Sequence, residues 1–229
     1  MQGLSTDLLL RAYACGLFPM AESKDSQVLF WVDPPMRGIL PLEGLHVPRS
    51  LRKVIRQGRF TVRYDSAFID LMRLCAEPAE DRPDTWINEQ ILRLYEELFW
   101  RGHAHSVECW QGETLVGGLY GVSLGGAFFG ESMVTRVRDA SKVALVHLVA
   151  QLRASGFTLL DTQFSTDHLA QFGVVEVPQA DYKRDLAQAL RVRTQFRTAP
   201  NAVEELFASI DARPKNPKDA ATGRAAGTS

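Results

Sequence analysis

Two acidic residues stand where acids are costly. Glu131 follows the apolar run Ala127-Phe128-Phe129, and Asp161 interrupts the apolar run at 157–160, with Gln163 two residues further on. On a strand, residues two apart project from one face, so Asp161 and Gln163 can address the same substrate. A carboxylate on a central strand is unfavourable unless it is paired or functional; such acids either mark strand ends and turn caps or serve chemistry or a cation pocket. A second signal is basic. Arg49, Arg52, Lys53, Arg56, Arg59 and Arg63 occur between 46 and 63 without an acid, giving that segment a charge of +6. Arg49, Arg52, Lys53 and Arg56 recur at helical spacing opposite Leu51, Val54 and Ile55. Such a face is either solvated or suited to a phosphate backbone.

Other chemistries are disfavoured. His103, His105 and Cys109 share one strand parity, but three ligands on a short strand cannot wrap a tetrahedral ion, so no metal is expected. Cys15, Cys75 and Cys109 show no C-x-x-C spacing, which argues against a disulfide framework and for a reducing compartment. The glycines of GGLYGVSLGGAFFG fit neither a phosphate loop nor a dinucleotide fingerprint and read as hairpin turns and close strand packing. Gly130-Glu131-Ser132-Met133-Val134 lacks the last glycine of a nucleophile elbow. The 229 residues carry 26 basic and 27 acidic side chains, a net charge of −1 that excludes a polycation held to nucleic acid by global charge. No export signal opens the chain and no apolar run approaches the roughly 18 residues of a membrane span, so a cytoplasmic location without membrane contact is expected.

The elements that must position these residues follow from periodicity and punctuation. A helix from Ser5 or Thr6 to Gly16 is followed by short strands in VLFWV and GILPL around Asp33-Pro34-Pro35. The basic helix stops at Gly58, Phe60, Val62 and Tyr64 alternate as a strand, and a helix at 66–76 leads into a proline- and acid-rich loop. Asn88 caps a helix closed by Gly102, and three strands joined by glycine turns lie in AHSVECWQ, TLVGGLYGVS and GAFFGESM. Asp139 is the expected cap of a long helix ending at Gly156. Strand FTLLDTQ, a short helix from Thr166, strand VVEV and a helix near 181–191 complete the order, and a disordered tail is expected from about Asp211.

This is an α+β pattern, an open mixed sheet with a crossover, flanked by helices. Acetyl-CoA-dependent N-acetyltransferases share the order, but the loop before the long helix, Thr135-Arg136-Val137-Arg138-Asp139-Ala140, has no glycine and an acid at the cap, which disfavours CoA. The expected organisation is a smaller N-terminal α/β subdomain bearing the basic helix at 1–64, a catalytic domain at 65–192, a C-terminal segment at 193–210 and the tail at 211–229.

G-L-F-P-M, H-V-P-R-S-L-R-K, T-W-I, G-H-A-H-S-V-E, L-V-G-G-L-Y-G, F-G-E-S-M, A-S-K-V-A-L and L-D-T-Q, in this order over about 8–190, resemble the signatures of the leucyl/phenylalanyl-tRNA-protein transferases. The resemblance implies a GNAT-like core and transfer of leucine or phenylalanine from Leu-tRNA or Phe-tRNA to proteins beginning with Arg or Lys, marking them for degradation. No cofactor is implied, and a monomer is expected. By motif matching it implies catalytic roles for Asp161, Gln163 and Glu131, an aminoacyl pocket of Leu119, Phe128, Leu145 and Leu152, and Trp86 near the terminal adenosine. Arg49, Arg52, Lys53 and Arg56 then form the tRNA platform. Met20 stands where family members commonly carry tryptophan. The alternatives are a related transferase with another donor or acceptor, or a catalytically silent module that binds tRNA or protein N-termini.

Overall fold

The computed structural model describes residues 4–21, 26, 28–78, 85 and 87–213. Helix α1 (Thr6–Ala14) starts where the Ser5 hydroxyl accepts the Leu8 N–H, and β1 (Phe18–Ala21) pairs antiparallel with β2 (Leu29–Val32). Tyr13 of α1 and Phe18 of the hairpin pack into one cluster with Tyr95, Phe129 and Tyr182. The next strands from the same stretch, β3 (Met36–Ile39) and β4 (Thr61–Tyr64), join a seven-stranded sheet instead, with basic helix α2 (Arg49–Arg56) between them.

The sheet runs β4-β5-β6-β7-β8-β3-β9, with β5 (Ala104–Gln111), β6 (Thr114–Leu124), β7 (Ala127–Thr135), β8 (Leu159–Gln163) and β9 (Val175–Pro178). Among the described residues only β7 and β8 pair in parallel; the helix α5 (Ala140–Ala154) makes the crossover between them. The α+β class and the mixed sheet flanked by helices thus follow the order expected from the sequence. Gly121 is required inside β6: a Cβ there would lie 2.4 Å from the Phe128 ring and 2.2 Å from the Phe129 carbonyl oxygen.

Helices cover both faces. On one, α5 carries α8 (Ala202–Asp211) and packs with Leu51 of α2, and the cluster includes Leu119, Phe128, Leu145, Leu148, Leu160 and Phe207. On the other, α1, α3 (Phe68–Ala76), α4 (Glu89–Trp100) and α7 (Gln179–Ala189) bury Tyr13, Leu71, Tyr95, Phe129 and Tyr182. The segment at 193–210 therefore contains an ordered helix, while the tail beyond 213 lies outside the described residues.

Caps explain several boundaries. Asn88 accepts the Ile91 N–H at 2.9 Å and starts α4. Ala67 cannot cap α3, so the buried Glu108 of β5 accepts the Ser66 and Ala67 N–H groups at 3.0 and 2.8 Å. The expectation that Asp139 caps α5 is overturned: its backbone is left-handed (φ 76°) and its carboxylate makes no cap bond. A capping residue needs an extended backbone to aim its side chain at the first turn. The Thr135 hydroxyl takes over, accepting the Ser141 N–H at 3.1 Å.

Candidate active site

The site lies where two neighbouring strands stop pairing. Strands β7 and β8 match only at Ala127 with Leu159, Phe128 with Leu160 and Phe129 with Asp161. Past that point Gly130–Met133 on one strand and Thr162–Phe164 on the other line a cavity of about 620 Å³. Strand β8 is held on its other side by β3, whose Gly38 passes so close that a Cβ would sit 2.6 Å from the Phe164 carbonyl carbon.

Asp161 is fully buried at the end of the pairing. Arg37 of β3 grips it with Nε 2.9 Å from Oδ1 and Nη2 2.7 Å from Oδ2, and Tyr182 donates its hydroxyl to Oδ2 at 2.7 Å. The guanidinium lies between the Phe18 and Tyr182 rings, 4.5 and 4.6 Å from their centroids. Burial works against the Arg37 charge, but the carboxylate bonded to it holds its pKa above the ordinary value. Oδ1 of Asp161 also accepts the Gln163 backbone N–H at 2.7 Å. Gln163 has φ 63°, a left-handed conformation that is strained for a residue with a side chain. The acid thus acts on Gln163 through the backbone and not through its side-chain amide.

Glu131 collects the side chains. Tyr13 of α1 donates to Oε1 at 2.6 Å, Tyr95 of α4 to Oε2 at 3.1 Å, and Gln163 Nε2 to Oε1 at 3.1 Å; the two tyrosine oxygens are 2.5 Å apart. Burial pushes the Glu131 carboxyl from 4.5 up to about 7, against these three donors and with a smaller push from the Asp161 charge. Burial and the same carboxylate raise both tyrosine pKa values well above normal, so each remains an O–H donor. The result is a carboxyl that changes charge near neutrality beside an oriented amide, a combination suited to handling an amine.

Leu119, Leu145, Leu148, Leu160 and Met133 give the cavity an apolar wall. Two residues expected there are elsewhere. The Phe128 ring covers Gly121 and lies 6.5 Å edge-on from Phe157, inside the core. Leu152 is two turns, roughly 10 Å, along α5 from Leu145 and is likewise in the core. Leu148, one turn on, takes that place. Trp86 lies outside the described residues. The α2 cations differ in their engagement: Arg49 and Lys53 are exposed, Arg56 is exposed but lies 5.5 Å over the Phe207 ring of α8, and Arg52 pairs with Asp211 and sits 5.3 Å over the same ring. His105 is engaged by Asp65 at 2.8 Å, and the Cys109 thiol faces the Ala140 carbonyl, its pKa pushed by burial to about 12.

Arg37, Tyr13, Tyr95 and Tyr182 are the participants that the sequence reading omits. Arg37 carries the same signal as the two acids, a charge inside the apolar strand M-R-G-I-L. The tyrosines carry none, because each falls on a helix face that is otherwise core.

Two family descriptions match the chain: leucyl/phenylalanyl-tRNA protein transferase over residues 39–187, and the N-terminal domain of that transferase over 3–35. A protein of Paramagnetospirillum magneticum called leucyl/phenylalanyl-tRNA–protein transferase is 63% identical over 86% of this chain and 94% of its own. One of the same name from Rhodospirillum rubrum is 52% identical over 92% and 98%. Another, from Afipia carboxidovorans, is 55% identical over 86% and 87%. With matches of this extent, the chain belongs to the leucyl/phenylalanyl-tRNA protein transferase family of aminoacyltransferases.

Proposed function

We propose that the protein transfers leucine or phenylalanine from aminoacyl-tRNA to the α-amine of proteins that begin with Arg or Lys, acting in the cytoplasm as a monomer and without a cofactor. The observation that carries this reading is the meeting of Glu131 and Gln163, 3.1 Å apart, in a cavity walled by leucines. An apolar wall accepts a Leu or Phe side chain and rejects charged ones, while neighbouring aliphatic donors are separated only by shape, about 1–3 kcal/mol per methylene.

In the reaction the amine nitrogen attacks the ester carbonyl carbon, a C–N bond forms, and the bond to the tRNA 3′ oxygen breaks. The amine loses its proton and the departing 3′ oxygen gains one. An aminoacyl ester is already activated, and an α-amine of pKa ~8 is about one-tenth neutral at pH 7, so a strong base is unnecessary. Positioning the two reactants supplies most of the rate, up to about 7–11 kcal/mol. Glu131, with its pKa near 7, takes the proton of the α-ammonium and attracts the cationic acceptor. Gln163 orients the amine or the developing oxyanion. Asp161, saturated by Arg37 and Tyr182, keeps Gln163 in place. Trp86 meets the terminal adenosine, and Arg49, Lys53 and Arg56 meet the tRNA backbone, with Arg52 fixing their helix on α8.

The test is direct. Purified tRNA is charged separately with each amino acid and incubated with peptides beginning Arg, Lys, Asp or Ala, and products are weighed by mass spectrometry. Leu and Phe should appear on the Arg and Lys peptides; no such product defeats the reading.

A further inference from the structure

The cavity has a second charged region that the Glu131 network does not touch. Lys142 in the first turn of α5, Arg138 in the turn before it, and His168 of the short helix α6 (Asp167–Ala170) all line it. Lys142 is half-buried and has no ion-pair partner among the described residues. Among the described residues Arg138, itself exposed, makes one loose 3.9 Å contact, with Asp139 on the same part of the wall. His168 is held below its ordinary pKa by burial and by the Lys142 charge, which places the two side chains within electrostatic reach. Lys142, partly desolvated and without a counter-charge among the described residues, is unfavourable alone, and an anion at this spot would relieve it, with the exposed Arg138 and His168 beside it.

The position suits one anion. Thr135, which caps α5, lies four residues along β7 from Glu131, roughly 13 Å at strand spacing. Just past α6, the Phe172 carbonyl accepts the His46 N–H at 3.0 Å, joining this rim to the segment that enters α2. An aminoacyl-tRNA carries its ester on the last nucleoside, and its nearest negative charge is the phosphodiester joining the last two nucleotides. On the reading that aminoacyl-tRNA is the donor, we propose that Lys142, flanked by Arg138 and His168, forms the subsite for that phosphate.

Three donors bearing the same amino acid test this: aminoacyl-adenosine, which has no phosphate, aminoacyl-cytidylyl-adenosine, which has one, and intact aminoacyl-tRNA. With an Arg-initiated peptide as acceptor, the native protein should show a KM about tenfold lower for the dinucleotide than for the adenosine donor. Lys142→Ala should bring the two KM values together, and Lys142→Arg should keep most of the difference. Equal KM changes on both donors, or a preference that survives Lys142→Ala, would overturn the subsite. Binding of deacylated cytidylyl-adenosine, measured by calorimetry, reads the same contact without any transfer: Lys142→Ala should weaken it about tenfold, and undiminished binding would overturn the proposal. The salt slope of tRNA binding should also flatten by about 0.7 in Lys142→Ala, one single-strand phosphate contact. Failure of the native protein to use any donor would instead count against the proposed function, which the dinucleotide binding arm does not depend on.

Discussion

Arg37 and Asp161 have side-chain exposures of 1% and 0%, so removing either leaves its partner charged and dry. Breaking such a pair costs about 3–5 kcal/mol, and Arg37→Ala should lower unfolding stability by that amount in denaturant melts. The double variant Arg37→Met with Asp161→Leu should recover much of the loss, since apolar replacements of a buried pair are often tolerated. It should nevertheless transfer slowly, because the Gln163 N–H then loses the acceptor that holds its left-handed turn. Glu131 gives a pH signature. Its carboxyl is protonated below about 7, so the rate should fall as pH drops through that value, and Glu131→Gln should remove that inflection while lowering turnover. Stability moves the other way. The folded pKa lies above the unfolded 4.5, so the folded chain holds the proton more tightly and stability declines as pH rises from about 4.5 to about 7. Glu131→Gln should abolish that decline, which pH-dependent thermal melts would detect.

At the level of elements, the early end of the β7 and β8 pairing makes the site, and this was only half legible. Asp161 and Glu131 stand out because a carboxylate breaks an apolar run. That their strands separate just beyond Phe129 is a matter of register, which alternation does not encode. The same gap explains which residues line the cavity: Leu145 and Leu148 of α5 reach it, whereas Leu152, further along the helix, does not. The Asp139 cap fails for a local reason, since a left-handed backbone there is invisible in residue type. Thr135→Val should cost about 1 kcal/mol through the lost cap, measurable by chemical denaturation. For α2, the triple variant Arg49→Ala, Lys53→Ala and Arg56→Ala should flatten the salt slope of tRNA binding by roughly 2–3, at about 0.9 per duplex phosphate. An unchanged slope would remove this helix from the tRNA platform.

Across the whole molecule, the net charge of −1 conceals a separation: basic residues gather on α2 and at the cavity mouth, while Glu131 lines the cavity between the strands and Asp161 lies buried behind it, paired with Arg37. A donor that is polyanionic and an acceptor that is cationic can therefore be drawn to different parts of one neutral protein. The placement of β3 has a further consequence, for the timing of biosynthesis. This strand is made early, yet its neighbours are β8 and β9, and Arg37 meets Asp161 across 124 residues of sequence. At about 5–20 residues per second, a ribosome needs roughly 6–25 s to supply the partner. Until then Arg37 has no carboxylate, and neither Asp161 nor Gln163 has been made, so a nascent or truncated chain has no assembled centre, and activity should first appear only after the last strand has been released.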